Sequence, residues 1–446
     1  MDFSVRALAA GLVLAAAAQG AVASGIYSEG IGARALGMGG AFVAVADDST
    51  AVFWNPAGLV QLQGRGVNLG LYSMSTWMKH GNGHGAHNAG ADFAPEMGDV
   101  FAKVYPSEPH YFDRDKVFWP SAATAPEFTG HWNRGRYTLG FGAFTLGGAY
   151  SDYEGEGVDP LSGARVEGSV YSLFGLVDFN SSIGVQVTER LSLGLGLDLL
   201  VGYINVEVDK DYLGSANAAL PDYRLDVHSD ALGYGVQGVF GALYKVHPRL
   251  SVGAVYRSGA KMKLEGDSSA TLRFLDGNPG NDFDEKSDHR HRFRFPPSWA
   301  LGLAWRPSDR LLLSFDWNRV DWTKFYWPPG RIKYEHPGAA LLKSVNKDPG
   351  WFPADSYRMG LEYRLSPQLT WRAGYYKETS GGFPPQAENI TYTVSGDMEI
   401  ANTGVSYSWK NWTGDFLVGT MWGATSEDME HRCLTLAANF RRSFGR

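Results

Sequence analysis

Residues 179–201 read F-N-S-S-I-G-V-Q-V-T-E-R-L-S-L-G-L-G-L-D-L-L-V, and the fold of the whole chain follows from this stretch. From Leu191 to Leu199 an apolar side chain stands at every second position, with serine, glycine or aspartate between them. A period of two predicts a β-strand with one apolar face and one small or polar face. Because the residues before Thr188 alternate in the same way, the stretch predicts a hairpin whose turn is Thr188-Glu189-Arg190.

The same pattern recurs along the chain and predicts fourteen strands. They cover residues 66–78, 120–132, 135–149, 168–187, 191–207, 229–246, 249–264, 296–306, 310–320, 355–365, 368–378, 397–409, 412–424 and 431–444. Short connections are predicted near Asn133, Glu189, Pro248, Ser308, Ser366 and Lys410. Long polar connections are predicted at 79–119, 150–167, 208–228, 265–295, 321–354 and 379–396, with a shorter one at 425–430. Short and long connections therefore alternate.

A bilayer explains this alternation. A spanning strand needs about 9–11 residues, and every backbone polar group must be paired, so the sheet has to close on itself. Barrels of this kind have an even number of strands, tight turns at one end and long loops at the other. A soluble sandwich or propeller would not require such regularity. We therefore predict an all-β fold, a 14-stranded antiparallel transmembrane β-barrel.

The composition excludes several other classes of protein. The longest apolar run, Ala7 to Ala18, is too short for a transmembrane helix. The net charge of -7 disfavours nucleic-acid binding, which needs a concentrated basic surface. The single cysteine, Cys433, excludes an intrachain disulfide and a cysteine metal cluster. We expect no catalytic residues, because the histidines fall in connections rather than at strand centres. We also expect no metal and no cofactor.

The N-terminus has the pattern of a secretory signal peptide. Arg6 precedes the apolar run, and the small residues Ala21-Val22-Ala23 follow it, as an A-x-A cleavage site requires. The sequence predicts a signal peptide over residues 1–23 and a mature chain that begins at Ser24.

Residues 24–65 do not have the alternation of a spanning strand. They are rich in glycine and alanine, which permit close packing of the backbone. Asp47 and Asp48 predict the start of a short helix, and Asn55 before Pro56 predicts its end. We predict that these residues form a compact N-terminal hatch that plugs the lumen. Residues 66–446 then form the barrel and its long extracellular loops.

Residues 32–59 resemble the hatch of the FadL family of Gram-negative outer-membrane transporters. They include A-R-A-L-G-M-G-G-A-F-V-A-V-A-D-D and F-W-N-P-A-G-L. The segments 295–303 and 357–376 resemble the same family. The resemblance implies passive uptake of long-chain fatty acids or, as in the TodX type, of aromatic hydrocarbons. Cargo would collect in a groove among the outer loops, enter a lumenal site and leave laterally into the membrane. A porin for polar solutes is one alternative, although a hatch argues against it. A surface adhesin or phage receptor that uses the long loops is another, and it is compatible with transport.

The resemblance also assigns residues. The hatch motif comprises Arg34, Asp47, Asp48, Asn55, Pro56 and Ala57. A purely structural role for these six residues is the alternative. The new N-terminus would contact ligand through Ser24, Gly25, Ile26 and Tyr27. A kink in the third strand would open the wall, and we place it at Gly147 and Gly148, since paired glycines mark bends. The alternative is that these glycines simply end a strand.

A fatty acid cargo would also need a cation for its carboxylate. The candidate residues are Arg257, Lys261, Lys263, Arg292 and Arg294. An aromatic hydrocarbon would need none of them, and the sequence leaves the cargo open. The expected partners are a long-chain fatty acid or other hydrophobic molecule, outer-membrane lipid and lipopolysaccharide, with the protein itself a monomer.

Overall fold

A computed structural model describes residues 30–80, 123–158, 164–214, 222–275, 277, 282–324, 331–334, 345–346, 352–379, 397–426 and 429–444. The predicted signal peptide, the residues 24–27 and most of the first long connection lie outside this part of the chain. Within it, no helix is both long and apolar enough to cross a bilayer.

The described residues are mostly strand. The strands are β1 Arg65–His80, β2 Ala123–Asn133, β3 Tyr137–Val158, β4 Arg165–Gln186, β5 Leu191–Leu213, β6 Tyr223–His247, β7 Leu250–Arg257, β8 Ala260–Phe274, β9 Phe283–Phe295, β10 Ser298–Trp305, β11 Leu311–Val320, β12 Arg331–Tyr334, β13 Val345–Asn346, β14 Ala354–Arg364, β15 Leu369–Glu378, β16 Asp397–Trp409, β17 Trp412–Ser426 and β18 Met429–Phe444. The helices are α1 Ala33–Gly37, α2 Ala51–Trp54 and the 3-10 helices Pro56–Gln61 and Trp322–Lys324.

The sheet closes into a barrel because β18 pairs with both β17 and β1, in a register that begins at Arg65 opposite Phe444. β7 and β8 are successive parts of one wall strand, since β6 pairs with both of them. β9 and β10 form another in the same way. β12 and β13 lie between β11 and β14, which pair directly. The described wall therefore has fourteen antiparallel strands, as the sequence predicts.

The predicted short connections are confirmed, and all six lie at one end of the barrel, here called the short-turn end. Near this end the wall has an apolar outward face. In β5, for example, Leu193, Leu195, Leu197 and Leu199 are exposed, whereas the residues between them face the lumen. An exposed apolar belt around a closed sheet is what a bilayer requires.

The predicted polar connections at 150–167, 208–228 and 265–295 are wrong over most of their length. Strand continues through them, so that β3, β4, β5 and β6 reach 22, 22, 23 and 25 residues. This is about twice what a bilayer crossing requires. The parts beyond the apolar belt, 146–158, 165–174, 204–213, 223–232, β8 and β9, are here called the outer extension.

The outer extension was not predicted because its outward face changes from apolar to polar. In β5 beyond the apolar belt, the outward positions carry Glu207 and Asp209, and the inward positions carry the buried Val208, Lys210 and Tyr212. The period of two persists while the polar face moves outward. A prediction that associates polarity with loops therefore fails here, although the alternation itself still indicates strand.

Candidate functional site

The N-terminal residues 30–64, here called the inner segment, lie inside the barrel. Helix α1 contacts β15 to β18, whereas the 3-10 helix that begins at Pro56 contacts β3 to β6 on the opposite side of the wall. Nearly every residue from 30 to 59 is buried. The inner segment therefore crosses the lumen from wall to wall.

Inward-facing glycines of the wall make room for the inner segment. A Cβ added at Gly374 would lie 1.9 Å from the backbone nitrogen of Gly39, and one at Gly194 would lie 2.2 Å from that of Ala57. Further inward glycines against the inner segment are Gly140, Gly184, Gly241, Gly253, Gly302 and Gly360. Part of the high glycine content therefore serves the fit between wall and inner segment.

Asn55, Pro56 and Ala57 form a joint within the inner segment. Helix α2 ends at Trp54, the next residue Asn55 has an extended backbone with φ of -165°, and Pro56 begins the 3-10 helix. The Asn55 side chain donates to the carbonyl of Val43 at 2.9 Å and to that of Ala242 on β6 at 3.0 Å, and it accepts from the Ala57 nitrogen at 3.1 Å. One buried amide thus links two parts of the inner segment to the wall.

Wall side chains also hold the backbone of the inner segment. The Asp316 carboxylate on β11 accepts from the nitrogens of Phe42 and Val43 at 2.7 and 2.8 Å. Glu127 on β2 accepts from the Gly32 nitrogen at 2.8 Å. Asn402 and Asn439 make comparable bonds to α1. These four wall residues are not among those predicted from the sequence, in which their only signal is a polar side chain at an inward strand position.

Arg34 is the centre of an ion-pair network between the inner segment and the wall. Its guanidinium lies 2.5 Å from Asp47, 3.2 Å from Asp48 and 3.0 Å from Glu362 on β14. The remaining members are Arg306, Arg372, Asp415 and Arg441. Four cations thus face four carboxylates. The structure brings the three charged residues of the predicted hatch motif together.

The pKa values of Arg34 and Asp48 are shifted in the directions that favour their charged forms. Burial lowers the pKa of Arg34, but Asp47, Glu362 and Asp48 more than reverse this and raise it well above its usual value. Burial raises the pKa of Asp48, but Arg441 and Arg34 reverse this effect, so its pKa is lowered overall. Both groups are therefore charged at neutral pH.

A cavity of about 110 Å³ lies between the inner segment and the wall. Val43, Phe53 and Trp54 contribute apolar surface from the inner segment, and Leu146 does so from β3. Polar lining comes from β6, β7, β10, β11 and β14, and it includes the guanidinium groups of Arg257 and Arg358. The cavity is thus an apolar space with cations at its edge.

The two arginines are held by the aromatic residues of the inner segment. Arg257 lies 4.7 Å from the centre of the Phe53 ring, donates to the Phe53 carbonyl and has Nη1 3.5 Å from Asp198 Oδ2. That Nη1 is buried and makes no hydrogen bond within the described part of the chain. Arg358 lies 5.5 Å from the Trp54 ring and 4.4 Å from that of Tyr376.

The other predicted cations do not line the cavity. Lys261 and Lys263 lie on the outward face of β8 and are exposed, as are Arg292 and Arg294 on β9. For Lys261 and Lys263, the reason is a break at residues 258 and 259 between β7 and β8. Odd-numbered residues face inward before this break and outward after it, so Arg257 and Lys261 lie on opposite faces.

The β3 strand has a bulge next to the cavity. Thr145 is opposite Val177 and Gly147 is opposite Leu176, which leaves Leu146 as the extra residue. The β2–β3 pairing ends at Glu127 and Phe144. Among the described residues beyond this point, β3 pairs only with β4, so the described parts of β2 and β3 are unpaired with each other there.

The composition of β2 contributes to this interruption. Pro126, the residue before Glu127, pairs with Leu71 of β1 and has no backbone N–H to donate. Gly147 and Gly148 follow the bulge directly on β3. Since Leu146 also lines the cavity, the cavity reaches the wall where the ladder is interrupted.

Comparison with known families decides the classification. The profile of the family described as "Outer membrane protein transport protein (OMPP1/FadL/TodX)" matches residues 14–436. The chain belongs to the OMPP1/FadL/TodX family. Family membership makes it a Gram-negative outer-membrane protein that transports hydrophobic compounds, and the family consists of transport channels rather than enzymes. The short-turn end is accordingly periplasmic and the outer extension faces the cell exterior.

Solved structures show the same fold at low sequence identity. A Pseudomonas aeruginosa FadL homologue matches with a TM-score of 0.70 and 15% identity, over 95% of this chain and 100% of its own. The CymD monoaromatic hydrocarbon channel matches with a TM-score of 0.65 and 19% identity, over 94% of this chain and 98% of its own. The P. putida toluene transporter TodX matches with a TM-score of 0.65 and 17% identity, over 94% of this chain and 99% of its own. No curated protein matches the sequence.

Proposed function

We propose that this FadL/TodX family member takes up long-chain fatty acids by passive diffusion. The observation that carries the proposal is the apolar cavity with a guanidinium at its edge. Phe53, Trp54 and Leu146 offer apolar surface to an acyl chain, and the Arg257 guanidinium faces the same space. A cargo with one apolar part and one anionic group suits this combination.

Arg257 is the group that we assign to the cargo carboxylate. Its buried Nη1 lies 3.5 Å from Asp198 and makes no hydrogen bond to the described residues, so this group has an unused donor beside the cavity. Charge-assisted hydrogen bonds of an arginine to a carboxylate are among the stronger polar contacts in proteins. Lys261 has no part in this proposal, because its side chain lies on the outward face of β8.

The inner segment is proposed to act as the hatch. Its backbone fits against wall glycines, and Arg34, Asp47, Asp48 and Asn55 connect its parts to one another and to the wall. This arrangement fills the lumen on the periplasmic side of the cavity. The proposed ligand contacts of Ser24, Gly25, Ile26 and Tyr27 lie outside the described residues and stay a prediction.

The proposed exit is the interruption between β2 and β3. A hydrophobic cargo gains about 0.8 kcal/mol for each CH₂ group that it removes from water. Lateral movement from the cavity into lipid keeps that gain, so no energy source is needed. Gly147 and Gly148 are proposed as the residues that let β3 bend away from β2. The outer groove from which cargo would enter falls outside the described residues.

An aromatic hydrocarbon is the second candidate cargo. The cavity is small and its lining includes Phe53, Trp54 and Trp299, and an engineered apolar cavity of roughly 150 Å³ in another protein takes up benzene. Two of the similar structures are named as a monoaromatic hydrocarbon channel and a toluene transporter. A hydrocarbon would use the aromatic residues and not Arg257.

An uptake assay with matched variants separates the two cargoes. Cells that lack their own transporter would express the wild type, Asp198→Asn, or Asp198→Asn combined with Arg257→Gln, and would receive labelled oleate or labelled toluene. The Asp198→Asn background prevents a buried aspartate from losing its cation, so the added loss reports on Arg257 alone. Correct insertion is checked in each case by heat-modifiable mobility of the barrel.

For a fatty acid transporter, we expect the double variant to lose roughly tenfold or more of its oleate uptake relative to Asp198→Asn. Wild-type uptake of toluene with no uptake of oleate would assign the hydrocarbon cargo instead. Uptake of neither compound, together with a large steady conductance, would support a porin. We further propose that the protein acts as a monomer surrounded by outer-membrane lipid and lipopolysaccharide, since its wall closes within one chain.

A further inference from the structure

Four cations lie together on the outward face of the outer extension. Lys261 and Lys263 on β8 and Arg292 and Arg294 on β9, here called the cationic patch, are all exposed. Lys261 is directly opposite Arg294, and Lys263 is directly opposite Arg292. Two like-charged pairs therefore face each other across one pair of strands.

Such an arrangement costs stability unless an anion neutralises it, because directly opposed like charges on a sheet repel each other. Glu265 compensates only part of the charge, through Lys263 at 2.5 Å and the neighbouring Arg290 at 3.0 Å. Within the described residues, Lys261, Arg292 and Arg294 have no ion pair. The fold thus leaves most of the positive charge of the patch without a partner.

The cationic patch borders the apolar belt on its outer side. Tyr256 and Trp299 are exposed, their rings lie 5.7 Å apart, and they end the outward apolar rows of β7 and β10. The next outward residues beyond the strand breaks are Lys261 and Arg294. On the neighbouring β6, the exposed Val236 and Tyr234 lie opposite Lys261 and Lys263. Along the outward face, the cations thus come directly after the apolar and aromatic side chains, as expected at the boundary between the hydrocarbon core and the lipid headgroups.

We propose that the cationic patch binds the phosphate groups of lipopolysaccharide in the outer leaflet. Lysine and arginine are the side chains that bind phosphate best, arginine through two parallel hydrogen bonds. The Tyr234, Val236, Tyr256 and Trp299 side chains supply the adjoining surface for the acyl chains. This glycolipid presents phosphates at the depth of the patch and acyl chains at the depth of the aromatic residues. The inference is independent of the cargo and goes beyond the proposed transport.

Native mass spectrometry of the purified full-length barrel, titrated with lipid A, tests the proposal. The patch variant carries Lys261→Gln, Lys263→Gln, Arg292→Gln and Arg294→Gln. The control variant removes four exposed cations near the periplasmic turns, through Arg190→Gln, Lys245→Gln, Arg310→Gln and Arg364→Gln. Both variants change the net charge equally. A third variant, Lys261→Arg with Lys263→Arg, keeps the charge of the patch.

We expect the patch variant to bind lipid A roughly a hundredfold or more weakly than the wild type, since each basic residue adds about tenfold or somewhat less at an anionic surface. The control and arginine variants should bind like the wild type. Dephosphorylated lipid A should bind the wild type as weakly as phosphorylated lipid A binds the patch variant. Oleate uptake by the patch variant should be unchanged, which separates this test from that of the cargo.

Three results would overturn the proposal. They are undiminished binding by the patch variant, an equal loss in the control variant, and equal binding of dephosphorylated lipid. Displacement of lipid A by millimolar inorganic phosphate alone would also contradict it, because a site for free phosphate would need no acyl surface. If the quadruple variant inserts poorly, the pair Lys261→Gln and Arg294→Gln serves in its place, with Arg190→Gln and Lys245→Gln as control.

Discussion

The periplasmic half of the lumen is tightly packed, whereas the outer half contains a cavity. In the periplasmic half, wall glycines such as Gly374 touch the backbone of the inner segment, and buried charges are balanced around Arg34. In the outer half, apolar side chains surround an open cavity, and the wall ladder is interrupted at Leu146. We propose that close fit seals the lumen in the first half, whereas loose packing admits cargo in the second half.

The largest effect is expected from a side chain added on the sealed side. Gly374→Val would place a Cβ only 1.9 Å from the Gly39 backbone nitrogen. This is far inside van der Waals contact, so the backbone of the wall or of the inner segment would have to move. The inner segment should fail to seat, and planar-bilayer recordings should show a steady conductance that the wild type lacks. Gly238→Val is the control, because its Cβ would face outward, 3.5 Å from Phe240. A closed Gly374→Val barrel would contradict the close-fit account.

An intermediate effect is expected from Arg34→Met. This change removes the cation shared by Asp47, Asp48 and Glu362, although each of these carboxylates keeps a second arginine. The cost should therefore stay below the about 3–5 kcal/mol that an uncompensated buried charge costs. The barrel should remain folded while hydrogen exchange of the Phe42 and Val43 amides becomes faster. The exposed Arg190→Met serves as control. Unchanged exchange at these amides would show that backbone contacts alone hold the inner segment.

A smaller effect is expected on the loosely packed side. Replacing both Gly147 and Gly148 with valine favours a regular pleated strand and opposes the bend that follows the bulge. Uptake of the cargo should slow several-fold, whereas its binding to the purified barrel should not change. Undiminished uptake would remove Gly147 and Gly148 from the proposed exit. Equal losses of binding and uptake would indicate that the change reaches the cavity instead.

The sequence was most informative where one rule governs many residues. The alternation seen in Leu191 to Leu199 recurs along the wall, so strand number and the positions of short turns were predictable. Two local exceptions were not. Beyond the apolar belt the outward face becomes polar, so these strands resemble loops in the sequence. The break before Ala260 reverses which residues face the lumen, so Lys261 lies on the outward face.

The candidate site was predictable only in part. Arg34, Asp47, Asp48 and Asn55 stood out because they lie close together in a conspicuous stretch of sequence. Their wall partners, such as Glu127, Asp316 and Asn439, are separated from the inner segment by up to several hundred residues. Nothing in the sequence indicates which polar inward residue meets which backbone nitrogen, because that depends on the register of the closed sheet.

The pairing of β1 with β18 has a consequence for biogenesis. The first and last strands of the wall are neighbours, and helix α1, made early in the chain, contacts the last four strands to be made. Contacts between such distant parts form slowly, because the intervening chain must first be ordered. An unfinished barrel therefore has neither a seam nor a seated inner segment. We propose that the lumen is filled and the wall is closed in the same final stage of assembly, so that a finished barrel with an empty lumen does not form on the way.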